Sequence, residues 1–361
     1  MGKKMIIVSG VVLGILGVLL VHFGNPTNMG VCVACFIRDI AGGLGLHRAA
    51  PVQYLRPEIM GFILGSFIIS LKNREFGARG GSSPLLRFFM GMAMMIGAMI
   101  FLGCPLRMVL RLAAGDLNAL VGLCGFIFGI FIGVQFLKKG FSLGRSQKQN
   151  ITNGLAIPTF ALVLLLLVIV APAFIIFSES GPGAARAPLL IALAAGLIVG
   201  VLVQRSRLCQ AGCFRDLMII RDPHLLYGTL GIFLSALALN VAFGYFKLGF
   251  ADQPIAHTDG LWNFIGLAVV GLGATLLGGC PLRQVILSGE GDTDAGIVLL
   301  GMLSGAAVAH NFGIAASGSG VTITGQIGVL VAAAFLLFVG FAFSAKTSSS
   351  QKGGIGYERS L

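Results

Sequence analysis

One pentapeptide, Gly-Cys-Pro-Leu-Arg, occurs twice in the chain, at Gly103–Arg107 and again at Gly279–Arg283. The flanks repeat with it, since Gly115-Asp116 matches Gly291-Asp292 at the same offset of 176 residues. Further upstream, the matches at an offset of 177 are Cys32 with Cys209, Ala34 with Ala211, and Arg38-Asp39 with Arg215-Asp216. An identical pentapeptide with collinear flanks predicts a chain built from two related halves.

The composition is that of a membrane protein. Of 361 residues, 56% are hydrophobic and only 11% are charged, whereas a soluble chain carries about a quarter charged residues. Ten apolar stretches approach the roughly 20 residues that a helix needs to cross the hydrocarbon core. They run approximately from Met5 to Phe23, Glu58 to Leu71, Pro84 to Leu102, Leu117 to Leu137, Leu155 to Phe177, Ala187 to Val203, Leu225 to Phe246, Leu261 to Gly278, Ala295 to Gly313 and Thr322 to Ser344. We therefore predict an all-α integral membrane protein with about ten transmembrane helices, which disfavours the soluble enzyme classes.

The positive charge indicates orientation in a membrane. The net charge is +12, but the basic residues form short clusters at the ends of apolar stretches, around 3–4, 72–87, 138–148 and 205–221. Such clusters are topology signals, whereas nucleic-acid binding proteins carry a continuous basic surface. A cytoplasmic N-terminus places most of the 25 Lys and Arg residues inside. The prediction is a multi-pass protein of the plasma (inner) membrane with both termini cytoplasmic and a first span that is not cleaved.

The number of spans predicts that the two halves are inverted. Each half carries four spans, and a fifth helix, from Leu155 to Phe177, lies between them. An odd number of crossings reverses the second half. The predicted division is 1–150 for the first half, 151–186 for the connecting helix and loop, 187–345 for the second half, and 346–361 for a disordered cytoplasmic tail. The motif cysteines of the two halves then approach the membrane midplane from opposite sides. Many secondary transporters bind their substrates near the midplane, at the interface between the repeats.

The repeated pentapeptide predicts a helix start at depth in the membrane. Proline is favoured in the first turn of a helix, so Pro105 and Pro281 place Cys104 and Cys280 at helix N-caps. Free backbone N–H groups and the helix dipole favour an anion there. About ten residues separate Cys104 from Gly115, enough for a half-helix but too few for a span. We predict re-entrant half-helices that are covered by protein or line a cavity.

The candidate substrate-binding residues are the cysteines of the repeats and the arginines of the pentapeptide. An arginine three residues after a cysteine lies about one helical turn away, on the side of the thiol, where it can attract an anion. The first set is Cys32, Cys104, Cys209, Cys280, Arg107 and Arg283, and a second, weaker set is Cys35, Cys213, Arg38 and Arg215. No catalytic residue and no metal ligand is predicted.

Several of these residues also have an interpretation as purely structural residues. Arg38-Asp39 and Arg215-Asp216 are expected to form ion pairs that cap a re-entrant element, since an arginine facing lipid costs about 2.5 to 3.5 kcal/mol. Cys124 has no repeat partner and is expected to be a buried packing residue. A zinc or copper site at Cys32-x2-Cys35 stays open but weak, because the other half has a different cysteine spacing. Seven cysteines, an odd number, argue against a disulfide framework.

Three classes of function are compatible with these residues. The first is a passive or ion-coupled transporter, since the sequence has no Gly-x4-Gly-Lys-Ser/Thr loop for ATP. The second is a membrane-embedded sulfurtransferase or persulfide-forming redox protein. The third is a membrane anchor for a redox partner. Two symmetric sites favour a pathway over a single reaction centre, so we predict a transporter that is not an enzyme and uses no cofactor.

The motifs resemble those of a known family. The stretch Gly200-x3-Gln204-Arg205-Ser206-Arg207-Leu208-Cys209-x2-Gly212-Cys213-Phe214-Arg215-Asp216, together with the two pentapeptides, is similar to the YeeE/YedE family of sulfur-compound transporters. Within that family the chain most resembles the branch assigned to selenium transport. The resemblance covers about residues 5 to 345.

The resemblance implies an hourglass of inverted repeats that takes up thiosulfate-like ions. By motif, it implies a cysteine relay through Cys32, Cys104 and Cys280, with Cys209 as the symmetry mate. It also implies a small cytoplasmic sulfur-carrier protein as a partner, beside the lipid bilayer and the small inorganic sulfur or selenium anion, and no nucleic acid. The additional Cys35 and Cys213 suit a selenium species at least as well as thiosulfate.

Overall fold

The computed structural model describes residues 2–352, whose regular secondary structure is almost entirely helical. Within these residues, ten helices are long and apolar enough to cross a membrane, which confirms the ten predicted spans. The long helix of each stretch is α1 (Lys3–His22), α3 (Pro57–Lys72), α4 (Pro84–Phe101), α6 (Asn118–Lys138), α7 (Ile151–Val170), α8 (Leu189–Ser206), α10 (His224–Ala242), α11 (Gly260–Leu276), α13 (Thr293–Asn311) or α14 (Ile323–Lys352), and four of the stretches also include a shorter helix beside it.

Large apolar side chains cover the outside of this helical body. Leu166 and Ile169 on α7 and Phe338 on α14 are among many that are exposed. A soluble protein rarely leaves such continuous apolar surface in water, so the surface fits contact with lipid. The protein is therefore an all-α integral membrane protein. The last part of the predicted tail, 353–361, lies outside the described residues.

Within the described residues, four short α-helices interrupt the series of long ones. They are α2 (Val33–Gly43), α5 (Pro105–Ala113), α9 (Gln210–Ile219) and α12 (Pro281–Gly289). At 1.5 Å per residue, helices of 9 to 11 residues reach about half of the 30 Å hydrocarbon core. Each starts directly after a motif cysteine. The predicted half-helices are thus present in both halves of the chain.

The turns before α5 and α12 share one backbone conformation. Leu102 has φ 61° and Gly278 has φ 81°, and these residues are related by the repeat offset of 176. The left-handed region suits glycine and is uncommon for leucine. Leu102 is buried, so the surrounding protein stabilises this turn in the first half. In both halves the turn ends a long helix and directs the chain into Gly-Cys-Pro.

Long helices of one half pack against long helices of the other. Helix α1 packs on α10, α3 on α8, α4 on α13 and α6 on α11. In chain order, the repeat matches α1 with α8, α3 with α10, α4 with α11 and α6 with α13. Under this matching, the contact between α1 and α10 corresponds to the contact between α8 and α3, and the contact between α4 and α13 corresponds to the contact between α11 and α6. Small residues allow the close approach, since a Cβ on Gly61 would lie 2.7 Å from the Cα of Gly196. This exchange is the pattern that a two-fold relation between the halves would produce.

The loops gather at two opposite ends of the helical body. At one end, strand β1 (Arg79–Gly80) pairs with β2 (Gln147–Lys148), and Gly77 N donates to Glu290 O at 3.1 Å. At the other end, Ser178 N donates to Gln53 O at 2.8 Å. Helix α7 connects β2 at the first end to the loop of Ser178 at the second. We call these ends the β end and the Gln53 end.

Candidate functional site

Four motif cysteines occupy the N-caps of the four short helices. Cys104 and Cys280 precede Pro105 and Pro281, which confirms the predicted helix starts. Cys32 and Cys209 cap α2 and α9 in a further way, because each sulfur accepts a hydrogen bond from the backbone N–H three residues later. All four cysteines are at most 5% exposed. The repeated sequence motifs therefore become four equivalent thiol positions.

The first thiol cluster consists of Cys32, Cys35 and Cys104. The Sγ atoms of Cys32 and Cys104 are 3.9 Å apart, and the Sγ atoms of Cys32 and Cys35 are 2.7 Å apart. Cys35 Sγ also lies 3.6 Å from Leu102 O in the left-handed turn. The cluster joins residues 72 positions apart in sequence. The structure thus brings the two motifs of the first half together.

The second thiol cluster consists of Cys209 and Cys280. Cys280 N donates to Cys209 Sγ at 3.4 Å, and Gly212 N donates to the same sulfur at 3.3 Å. Two backbone N–H groups at helix starts therefore converge on one sulfur. Such an arrangement stabilises negative charge at that position. Cys213 is buried one turn further along α9.

The two clusters belong to half-helices that contact each other across the repeat. Helix α2 packs against α12, and α5 packs against α9. Each contact joins a half-helix of the first half to one of the second. Because every one of these helices begins at a cysteine, four helix N-termini with their partial positive charges are associated with the thiols.

Arg107 is fully buried behind the first thiol cluster. Its Nε donates to Asn28 O at 2.8 Å and its Nη2 donates to Ile255 O at 3.1 Å. Its Nη1 donates to Leu102 O and lies 3.7 Å from Cys35 Sγ. The guanidinium therefore ties three separate loops to the cluster. The carbonyl dipoles stabilise its buried positive charge, and this charge lies beside the Cys35 thiol.

Arg283, its repeat mate, has different surroundings. Its Nη1 donates to Glu290 Oε1 at 3.1 Å. Glu290 is 3% exposed and also accepts from Arg207 Nη1 at 2.8 Å. Arg207 in turn pairs with Glu75 at 2.9 Å. These four residues, which we call the β-end network, connect the α12 arginine to the residue that lies two positions before Cys209.

The two acidic members of the β-end network were not predicted from the sequence. Glu75 and Glu290 follow apolar stretches, where an isolated carboxylate resembles an ordinary solvated loop residue. Hydrogen bonding from Gln204 and the nearby charges of Arg207 and Arg205 hold the pKa of the Glu75 carboxyl below its ordinary value. Glu75 therefore stays charged and holds its arginines. The available signal was the pairing of basic and acidic loops at one predicted membrane face.

The predicted Arg-Asp pairs of the first motifs are confirmed. Arg38 Nη2 lies 2.7 Å from Asp39 Oδ1, and Arg215 Nε lies 2.8 Å from Asp216 Oδ1. The first pair is buried and gains a third member, since Arg56 Nε donates to Asp39 Oδ2 at 2.7 Å. The second pair is partly exposed. Arg38 and Arg215 are thus occupied by neighbouring carboxylates.

Two further residues differ from the sequence expectations or were missed. Cys124 is exposed on α6, so the expectation that it is buried is wrong. A small apolar side chain is equally suited to a lipid-facing surface.

Glu58, which begins one predicted span, is buried and accepts from Asn25 Nδ2 at 2.7 Å, while its Oε2 has no partner. A carboxyl group within a predicted span was the signal for it.

Two cavities lie at the β end, and one of them is lined by Arg207 of the β-end network. A polar cavity of about 180 Å³ contacts α12 through Gln284 and the chain before Cys280 through Leu277, with Ser82, Arg87 and Asp294 opposite. A groove of about 500 Å³ is lined by residues that include Lys3, Ser206, Arg207, Asp222, His224 and Tyr227. The cavity therefore borders the segment that carries Cys280, and the groove borders the segment that carries Cys209.

The architecture and the buried thiols define a multi-pass membrane protein with cysteine-capped half-helices. The family described as Sulphur transport matches the chain over residues 205–353. The segment includes Cys209, Cys213 and Cys280, so the predicted resemblance to a family of sulfur-compound transporters is confirmed. The selenium branch is not confirmed by this match.

Two curated relatives are similar to part of the chain. Both carry the name thiosulfate transporter TsuA, one from Spirochaeta thermophila and one from Escherichia coli strain K12. Each is 32% identical over 103 residues, which is 28% of this chain. The match spans 31% of the length of the Spirochaeta protein and 29% of the Escherichia coli protein.

Proposed function

We propose that this protein is a membrane transporter that takes up a soft sulfur- or selenium-containing anion past its two thiol clusters. The observation that carries this proposal is the placement of four buried cysteines at the N-termini of four short helices. Discontinuous helices whose N-termini face an anionic substrate recur in secondary transporters. The names of the two relatives support a thiosulfate-like ion as the substrate.

The chemistry of the clusters suits transient binding. Helix N-termini attract an anion, while thiols are weak hydrogen-bond donors and do not hold it tightly. A substrate that passes through a narrow site must bind well enough to enter and weakly enough to leave. Sulfur or selenium at the end of the anion also contacts the polarizable cysteine sulfur favourably. We infer a relay in which Cys32, Cys104, Cys209 and Cys280 contact the substrate in succession.

The arginines take different roles in this proposal. Arg107 positions the first cluster, because its donors are engaged by the carbonyls of Asn28, Leu102 and Ile255. Arg207 lines the groove of about 500 Å³, and both Arg207 and Arg283 would attract or release the anion when their bonds to Glu290 exchange. Uptake would deliver the anion at this end, where a small cytoplasmic sulfur-carrier protein is the proposed partner.

The first prediction concerns substrate selectivity. A hard oxyanion such as sulfate gains from helix N-termini but little from sulfur contacts, whereas thiosulfate gains from both. We expect uptake of thiosulfate and selenite to exceed uptake of sulfate. Cys104→Ser should lower thiosulfate uptake by about tenfold, which corresponds to about 1.4 kcal/mol, with a much smaller effect on sulfate. Radiolabelled uptake of the three ions is measured side by side.

The control is Cys124→Ser, which makes the same change at an exposed cysteine. It should leave the ratio of thiosulfate to sulfate uptake as in the wild type. Equal transport of sulfate and thiosulfate, unchanged in Cys104→Ser, would indicate a general anion pathway and refute the sulfur or selenium assignment.

The second prediction concerns topology, which decides whether the repeats are inverted. The exchange of helix pairs between the halves and the single helix α7 between them support inversion. Ser146 precedes α7 at the β end and Ser180 follows it near Gln53, and both are exposed. We expect Ser146 to be cytoplasmic, and Ser180 and Ser317 to be extracytoplasmic.

Labelling with a membrane-impermeant maleimide tests this expectation in intact cells. The variants are Ser146→Cys, Ser180→Cys and Ser317→Cys, each combined with Cys124→Ala to remove the exposed natural thiol. Only the second and third should react before the membrane is permeabilised. Reaction of Ser146→Cys and Ser180→Cys from the same side would remove the crossing by α7, and inversion with it.

A further inference from the structure

Cys32 and Cys35 form a dithiol at the start of α2. Their Sγ atoms are 2.7 Å apart, and Cys35 N donates to Cys32 Sγ at 3.2 Å. The first cysteine is the N-cap and the second lies in the first turn of the helix. Because the two sulfur atoms are already in contact, a bond between them requires only a small adjustment of the side chains. A Cys-x2-Cys segment at this position is a common setting for redox-active thiols.

The dithiol is present in one half only. At the repeat offset of 177, Cys35 corresponds to Gly212, whose N–H makes the same hydrogen bond to Cys209 Sγ at 3.3 Å. The backbone arrangement is therefore repeated, but the second sulfur is not. Cys213, one residue later, lies outside this N–H···Sγ arrangement. The dithiol is thus an additional feature of the first half, beyond what a symmetric pathway needs.

A positive charge and a helix N-terminus lie beside the dithiol. Arg107 Nη1 lies 3.7 Å from Cys35 Sγ, and the N-terminus of α2 contributes backbone N–H groups. Thiol–disulfide exchange proceeds through a thiolate, so a positive charge beside the dithiol assists it. Cys104 Sγ, at 3.9 Å from Cys32, is a more distant third sulfur.

We infer that Cys32 and Cys35 form a reversible disulfide that withdraws the Cys32 thiol from the pathway. The oxidant is a small-molecule disulfide or diazene that reaches the buried cluster by the route of the substrate, and this access rests on the proposed function. With a disulfide RSSR, the Cys35 thiolate beside Arg107 forms a mixed disulfide and releases one RS⁻. Cys32 gives its proton to RS⁻, attacks Cys35 Sγ and releases the second RS⁻. The cysteines lose two electrons and two protons, and RSSR leaves as two thiols.

The experiment counts thiols in the full-length protein in membrane vesicles, with diamide as the oxidant. Diamide is a diazene, and it accepts two electrons and two protons to become a hydrazine. After treatment, free thiols are blocked in denaturant, disulfides are reduced, and the newly released thiols are labelled with a mass tag. We expect two tagged cysteines in the wild type and none when dithiothreitol precedes blocking. Mass spectrometry of the peptide that contains Cys32 and Cys35 should locate both tags there.

Matched variants identify the partners. Cys35→Ala should give no diamide-dependent tags, while Cys213→Ala and Cys104→Ala should each give two, as in the wild type. The absence of tags in the wild type, or their persistence in Cys35→Ala, would overturn the inference. The peptide measurement on the wild type decides the question even if a variant fails to fold.

Uptake of thiosulfate by the same vesicles separates the inference from the proposed function. We expect diamide to reduce wild-type uptake to the background of vesicles without the protein, and dithiothreitol to restore it. Within Cys35→Ala, diamide should cause no such loss relative to the untreated variant. If the disulfide forms while uptake continues, the dithiol is supported and the role of Cys32 in the pathway is refuted.

Discussion

Replacing Cys104 or Cys280 by alanine is expected to abolish uptake of thiosulfate while leaving folded protein in the membrane. Neither sulfur makes a capping hydrogen bond to its own helix, and Pro105 and Pro281 remain to start α5 and α12. The loss of one sulfur atom from a packed interior costs on the order of 1 kcal/mol, which is a small part of the stability of a large helical body. The loss of uptake would then report on the thiol itself.

Cys32 and Cys209 give a less specific test of the same idea. Their sulfur atoms accept hydrogen bonds from Cys35 N and Gly212 N, so an alanine would remove a helix cap as well as a thiol. Removing an N-cap side chain costs about 0.5–2 kcal/mol. A defect in those variants would therefore mix folding with transport, which is why Cys104 and Cys280 are the preferred positions.

Cys124→Ala is the matched control, because Cys124 is exposed on α6 and belongs to neither thiol cluster. Its uptake should equal that of the wild type. Expression in the membrane and a single monodisperse peak after solubilisation establish that each variant is folded. If Cys124→Ala were as damaging as Cys104→Ala, the assignment of the site by repeat symmetry would be wrong.

The sequence was informative where a local chemical rule determines the structure. Pro105 and Pro281 can hardly lie elsewhere than in the first turn of a helix, so the N-caps at Cys104 and Cys280 were predictable. Cys32 and Cys209 have no proline after them, and their N-caps are visible only in the structure. The Arg38-Asp39 pair was predictable because a buried arginine needs a carboxylate, but its third member, Arg56, comes from the segment before α3.

Contacts made by distant loops could not be predicted from spacing. The interval of three residues between Cys104 and Arg107 fixes the side of α5 on which the arginine lies. It does not reveal that Asn28 and Ile255 bring carbonyl groups to that side and engage the guanidinium. The same interval in the other half leads Arg283 to Glu290 instead. Identical local sequence therefore yields two electrostatic environments, since the loops that meet each half-helix are not repeated.

Asp39→Asn is expected to destabilise the protein strongly. Asp39 Oδ1 accepts from Arg38 Nη2 at 2.7 Å and Oδ2 accepts from Arg56 Nε at 2.7 Å, and all three side chains are buried. Asparagine removes the negative charge and presents an N–H₂ donor to one of the two guanidinium groups. Two buried positive charges then lack a counter-charge. Breaking a buried pair in this way costs about 3–5 kcal/mol.

Asp216→Asn makes the same change at the repeat-related position and serves as the control. Asp216 and Arg215 are 24% and 29% exposed, and Asp216 accepts from Arg215 Nε at 2.8 Å. Water can solvate both partners there, so Asp216→Asn should lower the free energy of unfolding by about 0–1 kcal/mol. For each solubilised variant, the thermal midpoint is determined from the fraction of protein that stays monodisperse after heating. Equal midpoints for Asp39→Asn and Asp216→Asn would show that burial does not distinguish the two pairs, and that the Arg56 contact contributes little to holding the Gln53 end together.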